Sequence, residues 1–195
     1  MEERRIYPGL VLKPLELTSV ASRRVGIPDE RRLVHLQFRR FAGCPICHLH
    51  LRSFVRRHSE LEAASIREVV VFHSAKQDLL PYAGQFPFDL VADPDKRVYA
   101  EFGVESAARA LLDPRAWTSI LRGVIRSLGA IVRKKEAIPT LHPKGGRWGL
   151  PADFLIATDG KVLARKYGAH ADDQWSVEEL LALSRESAVS PMPDA

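Results

Sequence analysis

The chain has 195 residues, which is the size of one ordinary domain. It is 46% hydrophobic and 27% charged, proportions that indicate a folded protein and exclude a disordered one. The 29 basic and 24 acidic side chains leave a net charge of +5, an excess too small by itself to indicate nucleic acid. The two cysteines, Cys44 and Cys47, are too few for a disulfide-stabilised scaffold.

No apolar run approaches the roughly 18 residues that a membrane-spanning helix needs, so we expect no membrane span. Residues 1–8 mix charges of both signs and lack the apolar centre of a signal peptide. We therefore expect a cytoplasmic protein, in which two neighbouring cysteines are more often catalytic or metal-binding than structural. Residues 1–8 and 187–195 are expected to be loose tails.

Short runs of β-forming residues alternate with segments of helical spacing along the chain. The run LVHLQF at 33–38 is the first predicted strand, and VVVF at 69–72 is the apolar centre of the second. After Pro45, which a helix tolerates in its first turn, apolar residues recur at helical spacing from Cys47 to Leu61. The predicted strands are 33–38, 66–73, 88–92, 154–157 and 162–167, and the predicted helices begin near 45, 78, 95 and 176.

The order of these elements predicts an α/β protein. Consecutive strand–helix–strand units require right-handed crossovers and parallel pairing. The turn TDGK at 158–161 predicts a hairpin and hence an antiparallel edge. Ser176 and Glu179 have the spacing of a capping box at the start of the last helix. The result is a mixed sheet with helices on both faces, in a single domain over residues 1–195.

Residues 107–150 do not fit this alternation and are predicted to be a helical and loop insertion before the hairpin. Between residues 115 and 135 the apolar side chains form one stripe at helical spacing, with arginines and lysines on the other face. Residues 115–147 have a net charge of +7, more than that of the whole chain. This cationic helix is expected to pack on the sheet, cover the active-site groove or form a dimer contact; binding to an anionic membrane surface is a further interpretation. No interleaving of aromatic and basic residues indicates nucleic acid.

Cys44 and Cys47 form a C-x-x-C motif between the first predicted strand and the following helix. At a helix N-terminus, unpaired backbone N–H groups and the helix dipole stabilise an anion, so a low pKa is expected for the Cys44 thiol. Arg39 and Arg40 are expected to strengthen this effect. Cys47 lies one turn further on, close enough to form a disulfide with Cys44. The motif in this context predicts a redox-active dithiol, with Cys44 as nucleophile and Cys47 as resolving cysteine.

Other interpretations of the pair stay open. A zinc site would use Cys44 and Cys47 with His48, His50 or a distant histidine. The sequence Cys-Pro-Ile-Cys-His also matches the attachment pattern of a c-type haem, which requires export. The pair can also be inert and buried. We predict no cofactor and no metal, and expect structural positions for the histidines: His48, His50 and His58 on a solvated helix face, and His35 and His73 in strands.

Several segments resemble peroxiredoxin-like proteins of the alkyl hydroperoxide reductase/thiol-specific antioxidant group. They are the Cys-Pro-x-Cys junction, VVVFHSA at 69–75, FPFDLVADPDKRVYAEFGV at 86–104 and GLPADFLIATDGKVLARKYG at 149–168. The resemblance covers residues 10–185. It implies a thioredoxin-like fold, a hydroperoxide or disulfide as substrate, and a protein reductant such as a thioredoxin.

The chain departs from the peroxiredoxin pattern around the reactive cysteine. Peroxiredoxins carry Pro-x-x-x-Thr-x-x-Cys, and here Gln37 and Phe41 occupy the proline and threonine positions. The arginine that peroxiredoxins place before the hairpin strand corresponds to Pro151, so that Arg147 or Arg39 would have to replace it. This puts peroxide reduction in doubt.

A proline at position 151 is instead a feature that thioredoxins have. Their proline forms a cis bond that faces the cysteine pair and shapes the substrate groove. The similarity implies a cis Leu150–Pro151 bond, and a role for Pro151 in the active site.

Three functional hypotheses follow. The first is a thiol–disulfide oxidoreductase that reduces protein or small-molecule disulfides. The second is a thiol peroxidase in which a hydroperoxide oxidises Cys44 to a sulfenic acid that Cys47 condenses with. The third is a metal- or membrane-binding module with a non-catalytic dithiol. A homodimer is compatible with each of them.

Overall fold

The structure is a computed structural model that describes residues 5–104 and 149–189. The predicted cationic helix at 115–135, Arg147 and nearly all of the predicted insertion at 107–150 lie outside the described residues, as do residues 1–4 and 190–195. The described parts of the two predicted tails are not loose. Ile6 is buried and its N–H donates to the Tyr167 hydroxyl at 2.9 Å, and the last helix continues to Val189. In the part that is described, no helix is long and apolar enough to cross a membrane.

A five-stranded mixed sheet forms the centre of the molecule. Its spatial order is β5-β4-β3-β6-β7, in which β3, β4 and β5 run parallel and β6 and β7 are antiparallel to their neighbours. This confirms the predicted mixed α/β sheet. The strands are β3 (Leu33–Arg39), β4 (Ile66–Phe72), β5 (Asp89–Ala92), β6 (Ala152–Ile156) and β7 (Val162–Tyr167).

Five helices are described, and they lie between and after the strands. They are α1 (Pro45–Arg56), α2 (His58–Ala63), α3 (Lys76–Ala83), α4 (Arg97–Glu101) and α5 (Val177–Val189). Ser176 and Glu179 form the predicted capping box on α5, because the Glu179 N–H donates to Ser176 Oγ at 3.2 Å and the Ser176 N–H donates to Glu179 Oε2 at 2.6 Å.

An additional hairpin precedes the predicted elements. Strands β1 (Leu15–Thr18) and β2 (Arg24–Ile27) pair antiparallel. Two strands of four residues are marginal alone, but this hairpin is tied to the sheet edge. The Val20 N–H donates to the Leu90 carbonyl at 2.8 Å. Its short strands show only weak alternation in the sequence, which is why the sequence analysis missed them.

The two faces of the sheet are covered differently. One face packs an apolar core against α4 and the β1–β2 hairpin, and its residues include Phe38, Val71 and Phe154. The other face packs against α1 and α5 through Phe54 and Trp175. Alternate residues of β3 point to this second face, and there they are polar. The helix that carries the cysteines therefore covers a polar strip of the sheet.

Candidate active site

Cys44 occupies the N-cap position of α1. Gly43 precedes it with φ +76°, a left-handed conformation that glycine adopts without strain, and this turns the chain from β3 into the helix. Pro45 is the first helical residue, so the helix begins as the sequence indicates. Cys47 follows in the first turn, and both cysteines are free thiols with about 1% of their surface exposed.

Arg40 is the charged neighbour of Cys44. Its Nη1 atom lies 3.7 Å from Cys44 Sγ, and the guanidinium is almost fully buried, with its charge over the Phe41 ring. A buried cation beside sulfur favours the thiolate over the thiol. Arg40, rather than Arg39, therefore supplies the charge at the cysteine.

The two thiols have opposite pKa shifts. Burial raises the pKa of Cys44, but a hydrogen bond from the Cys47 thiol, the Arg40 charge and the N–H groups of Cys47 and Ile46 outweigh it, and the pKa falls to about 6. Burial and the neighbouring Cys44 raise the pKa of Cys47 well above its ordinary value. At neutral pH the arrangement holds one thiolate and one thiol, the protonation state that nucleophilic attack followed by resolution requires.

Contacts with a neighbouring strand and helix hold the C-terminal end of β3, which Arg40 directly follows. The Tyr99 hydroxyl lies in hydrogen-bond contact with the carbonyls of Arg39 and Val71, the latter at 2.9 Å. Tyr99 itself is placed by Asp93, whose carboxylate accepts the backbone N–H groups at the start of α4. The Asp-Pro-Asp and Tyr-x-x-Phe-Gly segments of the sequence thus hold this strand end in position through hydrogen bonds.

Arg39 belongs to a buried polar network on the face beneath α1. Its Nη2 atom donates to Asp153 Oδ1 and to Gln37 Oε1, both at 2.6 Å. The His35 ring lies between two carboxylates, with Nδ1 2.8 Å from Glu68 Oε2 and Nε2 3.1 Å from Asp153 Oδ1. Carboxylate oxygens only accept hydrogen bonds, so both ring nitrogens donate and His35 is an imidazolium.

The pKa values of the network agree with this geometry. Burial lowers the pKa of His35, but Glu68 and Asp153 outweigh it and raise the value to about 9. Burial raises the pKa of Asp153, and the charges of Arg39 and His35 more than reverse this, so it lies well below its ordinary value. Arg39 is committed to this network and does not take the place of the missing peroxiredoxin arginine.

Pro151 lies next to β6, where the β3–β6 pairing ends. Its carbonyl accepts the Gly168 N–H at 2.8 Å, and its ring packs so closely on Gly168 that a Cβ atom there would lie 2.7 Å from it. The expected cis Leu150–Pro151 bond is absent, because in the described residues the cis bond joins Ile27 to Pro28. Residue type alone does not decide this, since the trans form is favoured at most X–Pro bonds.

Gly149 packs closely against the side chains of His73 and Arg40, a contact that the sequence does not indicate. A Cβ atom at Gly149 would lie 3.0 Å from His73 Nε2 and 3.9 Å from Arg40 Cγ. Only a residue without a side chain fits here without displacing the His73 ring. The segment before β6 therefore reaches the cysteine region through Gly149.

The prediction that His48, His50 and His58 lie on a solvated helix face is wrong. His48 is buried, and His50 and His58 are partly buried. His48 is buried against the rings of Tyr82 and Phe86, and burial together with Arg52 lowers its pKa to about 4. The His50 ring lies 2.8 Å from the Trp175 carbonyl through Nε2. Contacts with α3 and with the segment before α5 cover this side of α1, and the sequence of one helix cannot show them. His58 is half-buried beside Glu62, at 3.5 Å. His35 lies buried in β3 as expected, whereas His73 is buried but follows β4, which ends at Phe72 and not at residue 73.

No group of three or more histidine, cysteine or acidic side chains suited to a metal ion occurs within residues 5–104 and 149–189. Cys44 lies beside the Arg40 guanidinium and the protonated thiol of Cys47. This arrangement suits thiol chemistry.

A family model for the AhpC/TSA antioxidant enzyme matches residues 53–170, more than half of the chain. The match begins shortly after Cys47 and spans β4 to β7, so it is independent of the cysteine motif. No curated protein is detectably similar in sequence.

Solved structures with the same fold include peroxidoxin BcpB from Mycobacterium tuberculosis. It has a TM-score of 0.64 and 18% identity, over 94% of this chain and 98% of that one. A thiol:disulfide interchange protein DsbE from Chlorobium tepidum has a TM-score of 0.57 and 17% identity, over 92% and 99%. A peroxiredoxin-like protein from Aquifex aeolicus has a TM-score of 0.63 and 12% identity, over 93% and 88%. At these identities the similarity shows a thioredoxin-like fold.

Proposed function

The chain belongs to the AhpC/TSA antioxidant enzyme family, and we propose that it is a dithiol peroxidase with Cys44 as nucleophile and Cys47 as resolving cysteine. The observation that carries the proposal is the Cys44 thiolate, held between the Arg40 guanidinium and the protonated Cys47 thiol. This is the charge distribution that a two-step thiol reaction needs.

The reaction has two steps in the enzyme. The Cys44 thiolate attacks the outer oxygen of a hydroperoxide, the O–O bond breaks, and the alkoxide that leaves takes a proton from water. Cys44 is now a sulfenic acid. The Cys47 thiol then displaces its hydroxyl group, a disulfide forms and water leaves. A dithiol reductant, such as a thioredoxin-type protein, returns both cysteines to thiols by exchange.

Burial of Cys44 supports a small hydroperoxide as substrate. With about 1% of Cys44 exposed, a small molecule reaches the sulfur with less rearrangement than a protein disulfide requires. Arg40 also carries N–H donors next to the place where oxygen charge develops. Arg40 thereby stabilises the developing negative charge on oxygen, in place of the Pro-x-x-x-Thr pattern that this chain lacks.

Disulfide reduction is the second candidate. The Cys-Pro-Ile-Cys motif at a helix N-terminus favours it, because that geometry stabilises the leaving thiolate in exchange reactions. In this case Pro151 would shape the groove that receives the substrate. The cytoplasm stays the proposed compartment.

The test is a rapid-mixing experiment with the reduced protein. Hydrogen peroxide, an alkyl hydroperoxide and an oxidised dithiol are each added, and Cys44–Cys47 disulfide formation is followed by mass spectrometry. We expect fast oxidation by the peroxides, none in Cys44→Ser, and a trapped sulfenic acid in Cys47→Ser. Fast exchange with the disulfide and slow reaction with both peroxides would establish the second candidate instead. No reaction with any oxidant would overturn both.

A further inference from the structure

A cavity of about 280 Å³ lies at the end of the sheet opposite to the cysteines. It is formed by residues at the N-terminal ends of β4 and β5, by α2 and by the start of β2. Cys44 follows the C-terminal end of β3, which runs parallel to β4. The strand length between the two ends is about 20 Å, so this cavity is separate from the active site.

Four guanidinium groups line the cavity, and we call it the arginine cavity. They belong to Arg23, Arg24, Arg32 and Arg67. Its acidic lining residues are Glu62, Glu68 and Asp89. Glu68 is already neutralised from inside by the His35 imidazolium, and Glu62 lies at the exposed rim beside His58. Asp29 and Glu16 pair with these arginines from outside the lining, so carboxylates offset the arginine charges. What the cavity offers to an anion is N–H donors, because each guanidinium has five and its ion pairs engage only one or two of its nitrogen atoms.

Two carboxylates hold three of these guanidinium groups in place. Asp89 Oδ2 accepts a hydrogen bond from Arg67 Nη2 at 2.9 Å, and Asp89 Oδ1 forms an ion pair with Arg23 Nη2 at 2.9 Å. Asp29 accepts from Arg67 Nη1 at 3.0 Å and from Arg32 Nη2 at 3.2 Å. The cations are pre-positioned, so a ligand does not have to order their side chains, a cost that otherwise weakens binding.

Arg24 is the least engaged of the four. Its side chain is 91% exposed, and its ion pair with Glu16 is loose, at 3.6 Å. Such an exposed pair contributes little. Arg24 can therefore turn toward an anion at low cost.

We propose that the arginine cavity binds a small organic phosphate monoester. A phosphate dianion accepts hydrogen bonds from several guanidinium groups at once, whereas a carboxylate has two oxygens to offer. The cavity is close to the lower size limit of small-molecule sites, which fits a compact ligand. Apolar lining from Ile66, Pro87 and Phe88 faces the organic part.

The test is calorimetric titration of the reduced protein at constant ionic strength with glycerol 3-phosphate, succinate and glycerol. We expect glycerol 3-phosphate to bind with a Kd of about 1 mM or below. Succinate is expected to bind more weakly, and glycerol not at all. Tighter binding of succinate would overturn the phosphate assignment, and absence of any glycerol 3-phosphate binding would overturn the site.

Two arginine variants provide a matched pair. Arg24→Gln removes a cavity guanidinium, and Arg97→Gln removes one on α4 that is also mostly exposed and pairs with Asp95 at 3.5 Å. We expect Arg24→Gln to weaken binding about tenfold and Arg97→Gln to leave it unchanged. Equal weakening by both would reduce the effect to general charge screening and overturn the proposal. Cys44→Ser should bind like the parent protein, which separates this result from the peroxidase test.

Discussion

Arg40 and Arg39 are neighbours in the sequence with different roles in the structure. Successive side chains at a strand end point to opposite sides. Arg39 thus enters the network with Asp153, and Arg40 reaches Cys44 Sγ. The sequence predicts that both arginines lie near the cysteines. Because β3 ends at Arg39, the side chain of Arg39 points into the sheet network and that of Arg40 contacts Cys44.

Replacing Arg40 by methionine should raise the pKa of Cys44. The loss of a cation close to a buried thiolate is expected to move it up by about one pH unit or more from its value of about 6. The measurement is the rate of iodoacetamide alkylation of the reduced protein as a function of pH. Arg40→Lys should retain part of the shift, and Arg56→Met, at the exposed end of α1, none of it. An unchanged midpoint in Arg40→Met would contradict the assigned role.

Helix α5 shows how local signals fix an element. Its capping box is satisfied on both sides, and Val177, Leu180 and Leu181 are buried against the sheet. The cap sets where the helix begins, and the apolar residues set which face it buries. Both signals are short-range, and for this reason the sequence predicts them correctly.

Ser176→Ala should lower the free energy of unfolding by about 1 kcal/mol, because the Glu179 N–H loses its acceptor. Urea denaturation measures this change. Ser187→Ala is the control, since among the described residues its hydroxyl bonds to the Leu183 carbonyl inside the same helix. We expect little change there. Equal losses in both variants would show that the capping box is not the stabilising contact.

For the whole molecule, the His35 network joins three strands across the centre of the sheet. His35 lies on β3, Glu68 on β4 and Asp153 on β6, and all three are fully buried. Buried charges are tolerated when each is paired with an opposite charge, so a change in the protonation of one member weakens the others. The network therefore makes the stability of the fold depend on pH.

The pH dependence has a definite sign. The pKa of His35 is raised from 6.5 to about 9, so its stabilisation is complete below pH 6.5 and is lost as the pH rises through 9. The full effect is on the order of 3 kcal/mol. The lowered pKa of Cys44 acts in the opposite direction over the same range, since its thiolate form is favoured by folding.

Cys44→Ser isolates the histidine. In this variant the free energy of unfolding should fall between pH 6.5 and 9, as measured by urea denaturation at each pH. In the double variant with His35→Gln the fall should be absent, although the protein is less stable throughout. A fall of the same size in both would assign the effect to other groups.

The sequence by itself determined the order of the five sheet strands and of most of their helices, the β6–β7 hairpin, the α5 cap and the dithiol at a helix N-terminus. These features depend on periodicity, turn residues and spacings of a few positions, which act locally. The tertiary structure decided which arginine meets Cys44, the burial of His48, the imidazolium of His35 and the arginine cavity. Each of these depends on residues far apart in the chain, such as His35 and Asp153, which are neighbours only after the strands pair. Their meeting is governed by sheet register and by which face each side chain occupies, and a single sequence does not carry that information locally.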